Sequence, residues 1–151
     1  YQYANEDARF YGVELDSEFA IGTVFKGNLR LALTGDYISG ELDNGADVPR
    51  LPPMRLGSKL SWESDKWYWF ASVLAADDQD RPGDNESETN SYTRWDTGVE
   101  YRRAVGGNST LVLFANLNNI SDEEIRLSTS FLRDFAPEAG RSLAGGFRIE
   151  F

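Results

Sequence analysis

The chain is predicted to be all-β: an antiparallel up-and-down meander of about seven long strands that forms part of a transmembrane β-barrel. Three observations carry that expectation. Apolar and polar residues alternate with a period of two through nearly the whole sequence, as strands do and helices, with 3.6 residues per turn, do not. The alternating segments run to about 10–14 residues, longer than the ~5–6 of ordinary sheets and suited to tilted strands that cross a bilayer. The connections between them alternate short, long, short, long.

The first segment, residues 8–21, sets Tyr11, Val13 and Leu15 against Gly12, Glu14 and Asp16. The second, 28–41, sets Leu29, Leu31, Leu33 and Tyr37 against Arg30, Ala32, Thr34 and Asp36. The third, 54–63, alternates Leu56, Leu60 and Trp62 with Arg55, Gly57 and Lys59. The fourth, 66–76, is apolar on both faces, with Trp67, Trp69 and Val73 opposite Tyr68, Phe70 and Leu74. The fifth, 92–103, places Trp95, Thr97, Val99 and Tyr101 against Arg94, Asp96, Gly98 and Glu100. The sixth, 110–118, places Leu111, Leu113 and Leu117 against Val112, Phe114, Asn116 and Asn118. The seventh, 141–151, sets Leu143, Phe147, Ile149 and Phe151 opposite Arg148 and Glu150. β-branched and aromatic content agrees with strand throughout.

Short turns are expected near residues 22–27, 64–65 and 106–108, and long polar loops near 42–53, 77–91 and 120–139. With Phe151 at the periplasmic end, every short turn falls on that side and every long loop outside, the asymmetry of outer-membrane barrels. Trp62, Trp67 and Trp69 then flank a periplasmic turn, where an interfacial aromatic girdle belongs. The opposite face carries Arg30, Asp36, Arg55, Lys59, Arg94, Asp96, Glu100, Arg148 and Glu150. Such a face cannot line a dry core without a heavy desolvation cost, but it can line a wet or plugged lumen.

Composition excludes several functions. The chain has neither Cys nor His, so disulfides, thiolate or imidazole metal sites, and Ser-His-Asp hydrolysis are all ruled out. A net charge of −10 speaks against nucleic acid as a partner. No apolar run approaches the roughly 18–20 residues of a membrane helix. No phosphate-binding loop is present. Neither enzymatic activity nor a cofactor is expected.

Asp7-Ala8-Arg9-Phe10-Tyr11-Gly12-Val13-Glu14-Leu15 resembles the A-x-x-x-G-x-E strand of TonB-dependent outer-membrane receptors, and Leu51-Pro52-Pro53-Met54-Arg55-Leu56-Gly57 is similar to their P-P-x-R-x-G strand entry. Asn116-Leu117-Asn118-Asn119-Ile120-Ser121-Asp122-Glu123-Glu124 looks like the end of their penultimate strand. Ala136-Pro137-Glu138-Ala139-Gly140-Arg141 looks like the entry to their last one. The four motifs occur in the family's order and span nearly the whole chain. Ser128 to Asp134 further resembles a subset that includes metal-uptake relatives.

The resemblance implies that residues 1–151 are a C-terminal segment of the receptor barrel. The plug and the N-terminal region that contacts TonB are missing, and Tyr1-Gln2-Tyr3 is expected to be the tail of a preceding strand. It implies the bacterial outer membrane as location, with outer-membrane lipid, the barrel-assembly machinery and TonB as partners. A small-molecule ligand, a scarce nutrient such as a ferric siderophore or metal complex, would be captured at the external loops. Phe147, Ile149 and Phe151 would carry the barrel-assembly signal. The family closes about 22 strands around its plug, so seven strands alone would leave two unpaired edges facing lipid.

Among site residues, Arg55 and Arg94 are the inward cations best suited to an anionic ferric chelate. Asp77, Asp78 and Asp80, with Asp84, Glu86 and Glu88, form an acidic loop of the kind that can hold a hard cation; Asp43, Asn44 and Asp47 are a sparser version. Glu14 with Asp16, and Asp96 with Glu100, have the residue types of a glycosidase pair but read as lumenal lining. Two rivals stay open: a small separate outer-membrane structural or adhesive protein, and a soluble carbohydrate-binding β-module stacking sugar on Trp62, Trp67 and Trp69.

Overall fold

A computed structural model describes residues 6–151; Tyr1-Gln2-Tyr3 lie outside them. Seven strands form one sheet: β1 (Ala8–Val24), β2 (Gly27–Leu42), β3 (Arg55–Glu63), β4 (Trp67–Ala76), β5 (Tyr92–Gly106), β6 (Ser109–Asn118) and β7 (Ser142–Glu150). Each pairs antiparallel with its neighbours in sequence, in the order β1 to β7. The expected meander is what forms. The sheet is open: among the described residues β1 pairs only with β2, and β7 only with β6.

The register places the alternating sets as the sequence predicts. One row runs Phe19, Leu31, Leu60, Ala71, Thr97, Leu117, Leu143, and a row nearer the long loops runs Asp36, Arg55, Ala76, Tyr92 on the opposite face. On the apolar face Val13, Leu15, Leu56, Trp95, Leu143 and Phe147 all stand exposed. Among the described residues no second layer covers them, and the buried apolar residues there are Ala76, Tyr92, Val112 and Ile125. Soluble monomers rarely leave so many large apolar side chains uncovered on one face. Lipid satisfies it at no such cost. Such a face counts against the soluble-module rival. Trp62 is also not a free stacking platform, because its indole N–H donates to Val24 O at 2.7 Å and its ring lies across Gly27.

The strands are staggered. Crossing the sheet from Asn28, near the start of β2, leads through Glu63, Tyr68, Glu100 and Phe114 to Gly146 at the middle of β7. Displacement of this kind produces the strand tilt of a barrel wall. On the charged face, Phe70 lies over its direct partner Gly98 and Phe114 over Gly146; a Cβ on Gly98 would stand 2.5 Å from the Phe70 ring. These glycines let aromatic rings lie flat on the wall.

Two differences from the sequence reading share one cause. β1 reaches Val24 instead of residue 21, and β5 reaches Gly106 instead of 103, because the register shifts between Ala20 and Gly22 and between Ala104 and Gly106. A bulge flips the alternation, so the strand seems to end there while its pairing continues. The first turn therefore shrinks to Phe25–Lys26, both at positive φ (48° and 62°). That is type I′ geometry, which ordinarily selects Asn-Gly. Phe25 is 90% exposed, so it gains nothing from packing to offset the left-handed backbone. Replacing Phe25-Lys26 by Asn-Gly is expected to stabilise the hairpin by about 1 kcal/mol or more, seen as a raised urea midpoint for the protein folded in lipid vesicles.

Candidate functional site

The long loops, L1 (residues 43–54), L2 (77–91) and L3 (119–141), all lie at one end of the sheet. L3 begins at Asn119, which is 2% exposed and at φ 48°. Its Nδ2 donates to Glu123 O (2.8 Å) and Ala139 O (3.3 Å), its Oδ1 accepts from Glu123 N–H (2.9 Å), and its own N–H donates to Asp96 Oδ1 (2.9 Å). Asp122 Oδ1 accepts from Arg141 N–H at 2.7 Å. The two ends of L3 are thus drawn together in a compact Ω-loop. From that neck L3 turns inward: Ile125 is buried with Ala76 and Tyr92 of the charged face, with Leu74 and Leu127 packed beside them.

The three loops are joined by polar contacts. Arg133 of L3 pairs with Glu86 of L2 at 2.6 Å, and their side chains are only 7% and 10% exposed. The second Glu86 oxygen accepts from Arg50 N–H of L1 at 2.9 Å. Leu51 O of L1 accepts from Gln79 Nε2 of L2 (2.6 Å) and Ser128 Oγ of L3 (3.0 Å). Ser87 hydrogen-bonds Asp134, Gly83 packs on Pro49, and the Arg50 guanidinium lies 4.1 Å above the Phe131 ring. L2 also reaches the wall, where Arg81 Nη1 donates to Ser39 Oγ of β2 at 2.9 Å.

Burial pushes the Glu86 carboxyl up, but the hydrogen bonds from Arg133 and from Arg50 N–H outweigh it, and the group ends below its ordinary value of 4.5. A depressed carboxyl stabilises the fold above its unfolded pKa and loses that contribution as pH falls through the lowered folded value. Amide protection in L1–L3 should therefore hold from about pH 7 to pH 5 and weaken only below 4.5. Hydrogen exchange measured at stepped pH checks this.

The predicted cations sit on the charged face near the loops. Arg55 Nε and Nη2 clasp Asp36 at 2.9 and 2.6 Å. Arg55 also borders a small space beneath L3 with Tyr92, Arg126 and Ser128. Arg94 Nε pairs with Asp96 Oδ2 at 2.9 Å, and Asp96 in turn holds the neck of L3. Both arginines are therefore already paired.

The acidic loop is not drawn into a cluster. Asp77 Oδ1 accepts from Asp78 N–H (3.0 Å), Asp78 Oδ1 accepts from Ser91 N–H (2.5 Å), and Asp80 lies 4.0 Å from Arg81. Among the described residues no three His, Cys, Asp or Glu side chains form a group fit to hold a metal. Asp77 and Asp78 instead close the base of L2. Asp96 and Glu100 are likewise engaged: Glu100 takes Arg102 and Arg148, both at 3.3 Å. Arg102 continues to Glu63 (2.7 Å) and Arg148 to Glu150 (2.9 Å), an ion ladder across β3, β5 and β7. Phe147 and Ile149 point from β7 to the apolar face, and Phe151 follows the strand, 95% exposed.

Sequence reasoning missed Arg133, Arg50 and Arg81, and placed Glu86 among the acids of a candidate cation loop. A weak signal existed for Arg133, a lone cation between Phe131-Leu132 and Asp134-Phe135. Its partner lies 47 residues away in a different loop, beyond any local pattern.

Comparison with known proteins accords with this geometry. A family model described as "TonB dependent receptor-like, beta-barrel" matches residues 1–120. Curated protein sequences give no match. A solved structure titled "Copper transporter OprC" superposes with a TM-score of 0.77 at 18% identity, over 96% of this chain and 24% of that one. The chain thus spans about a quarter of that neighbour's length. It belongs to the TonB-dependent receptor family and forms part of that family's β-barrel.

Proposed function

We propose that this chain is a segment of the wall and external mouth of a bacterial outer-membrane transporter. The intact receptor would take up a scarce nutrient, a ferric siderophore or another metal complex, with energy delivered through TonB. The observation that carries the reading is the sheet's two unlike faces: one apolar and uncovered, the other laced with ion pairs. A barrel wall between lipid and a plugged lumen needs that combination, and family membership supports it.

In this reading β1 and β7 pair with further strands, since an edge left in lipid would strand its backbone N–H and C=O groups. The plug and the TonB-contacting region lie in other parts of the receptor. Phe147, Ile149 and Phe151 form the aromatic, lipid-facing strand offered to the barrel-assembly machinery. L1–L3 meet the ligand, with Arg55 and Arg94 as wall cations beneath them. Because both are paired to Asp36 and Asp96, an anionic ligand would have to draw them from those partners. Of the six carboxylates of L2, Glu86 is taken up by Arg133 and the rest share L2 with one cation, Arg81, which favours a cargo whose net charge is neutral or positive.

Uptake of radiolabelled ferric siderophore and of copper, in cells expressing the receptor with and without TonB, tests the proposal. Accumulation of either that requires both proteins is the expected result. Uptake equal to that of receptor-free cells for both would overturn it.

A further inference from the structure

The long loops of a barrel are ordinarily thought of as separate flaps, but L1, L2 and L3 are not separate. Each loop is bonded to both of the others: L1 through Arg50 and Leu51, L2 through Gln79, Glu86 and Ser87, L3 through Ser128, Arg133 and Asp134. The contacts converge on two points. One is the Leu51 carbonyl, which receives a donor from L2 and a donor from L3. The other is the Glu86 carboxylate, which holds the Arg133 guanidinium and the Arg50 amide at once.

Arg133 also donates to Ser128 O at 2.7 Å, and its own carbonyl accepts from Arg126 Nη1 at 2.5 Å. Among the described residues no buried side-chain polar atom lacks a partner. The assembly is fastened to the wall at three places: Arg81 on Ser39, Ile125 on Ala76 and Tyr92, and the Asn119 neck on Asp96.

We propose that L1, L2 and L3 form a single preassembled plate, locked by the buried Glu86–Arg133 pair, and that this plate is a fixed part of the mouth which does not close on ligand loop by loop. Arg133 turns into the lock while its neighbours Phe131 and Leu132, and Phe135 beyond, remain exposed on the outer surface. The lock is thereby separated from the surface that a ligand can touch. It acts on recognition only by holding that surface in shape. The inference does not depend on which nutrient is carried.

Hydrogen–deuterium exchange on the whole receptor in detergent, without ligand, tests it directly. In the wild type, segments 43–54, 77–91 and 119–141 should show strong protection together. Arg133→Met leaves Glu86 buried without its counter-ion, and should speed exchange about a hundredfold or more in all three segments. Glu86→Gln removes the charge and, with a single amide oxygen, keeps an acceptor for only one of Arg133 and Arg50 N–H; it should loosen the same three to a smaller degree, and serves as well if Arg133→Met fails to assemble. The proposal is overturned if any of the three segments exchanges freely in the wild type, or if the variants loosen L3 alone.

Discussion

Replacing Leu60 by Arg should lower the amount of receptor assembled in the outer membrane and destabilise what assembles by about 2–4 kcal/mol, the cost of a cation near the midplane of a barrel's lipid face. Leu60 lies on the apolar face in the row with Phe19, Leu31 and Leu117. Its neighbour in sequence, Lys59, points to the other face, where its ammonium stands 4.6 Å from the Phe70 ring centre. Lys59→Leu should therefore cost no more than the ~0.5–1 kcal/mol of an exposed cation–π contact. Two adjacent residues thus respond oppositely to charge. Heat-modified mobility on gels and urea unfolding in lipid vesicles read both variants.

The second large effect is expected at Asn119. Asn119→Ala removes the three side-chain hydrogen bonds to Glu123 O, Ala139 O and Glu123 N–H and puts a less suited residue at φ 48°. Each net hydrogen bond is worth about 1 kcal/mol, so the neck of L3 should lose about 3 kcal/mol. The loss should be local. Proteolysis should cut within 119–141 first, while β5 and β6 on either side stay intact. Asn119→Asp, which keeps the acceptor but not the donors, should fall between wild type and Ala.

Most of the wall was legible in the sequence, because a strand's face assignment is a local property. Leu29, Leu31 and Leu33 must share a side whatever they pair with, and the register from β1 to β7 keeps them there. The bulges at Ala20/Gly22 and Ala104/Gly106 were not legible: an inserted residue looks like the end of a pattern until the partner strand is seen. The turn expected within 22–27 is there, but its narrowing to Phe25-Lys26 was not legible, since these residues lack the glycine that ordinarily marks type I′ geometry.

At the mouth, Asn119 fell within the stretch that resembles the end of a penultimate strand, but that resemblance gave it no role. Its function in the loop, closing the L3 neck, appears only with Ala139 beside it. Glu86 and Arg133, or Leu51 and Ser128, meet across 47 and 77 residues. No period or spacing encodes such pairs. The acidic run of L2 misled for the same reason: six carboxylates resemble a cation site in sequence, while in the fold Asp77, Asp78 and Glu86 are each taken up by backbone amides or Arg133.

The central claim is that one face of this sheet meets lipid and the other an aqueous lumen. Because the chain has no Cys, single cysteines can be placed from Arg55 to Glu63 on β3, spin-labelled in the membrane-embedded receptor, and compared for contact with oxygen and with a water-soluble nickel chelate. Positions 56, 58, 60 and 62 are expected to favour oxygen, and 55, 57, 59 and 61 the chelate, in strict alternation. Equal access of the water-soluble reagent to both sets would contradict the account.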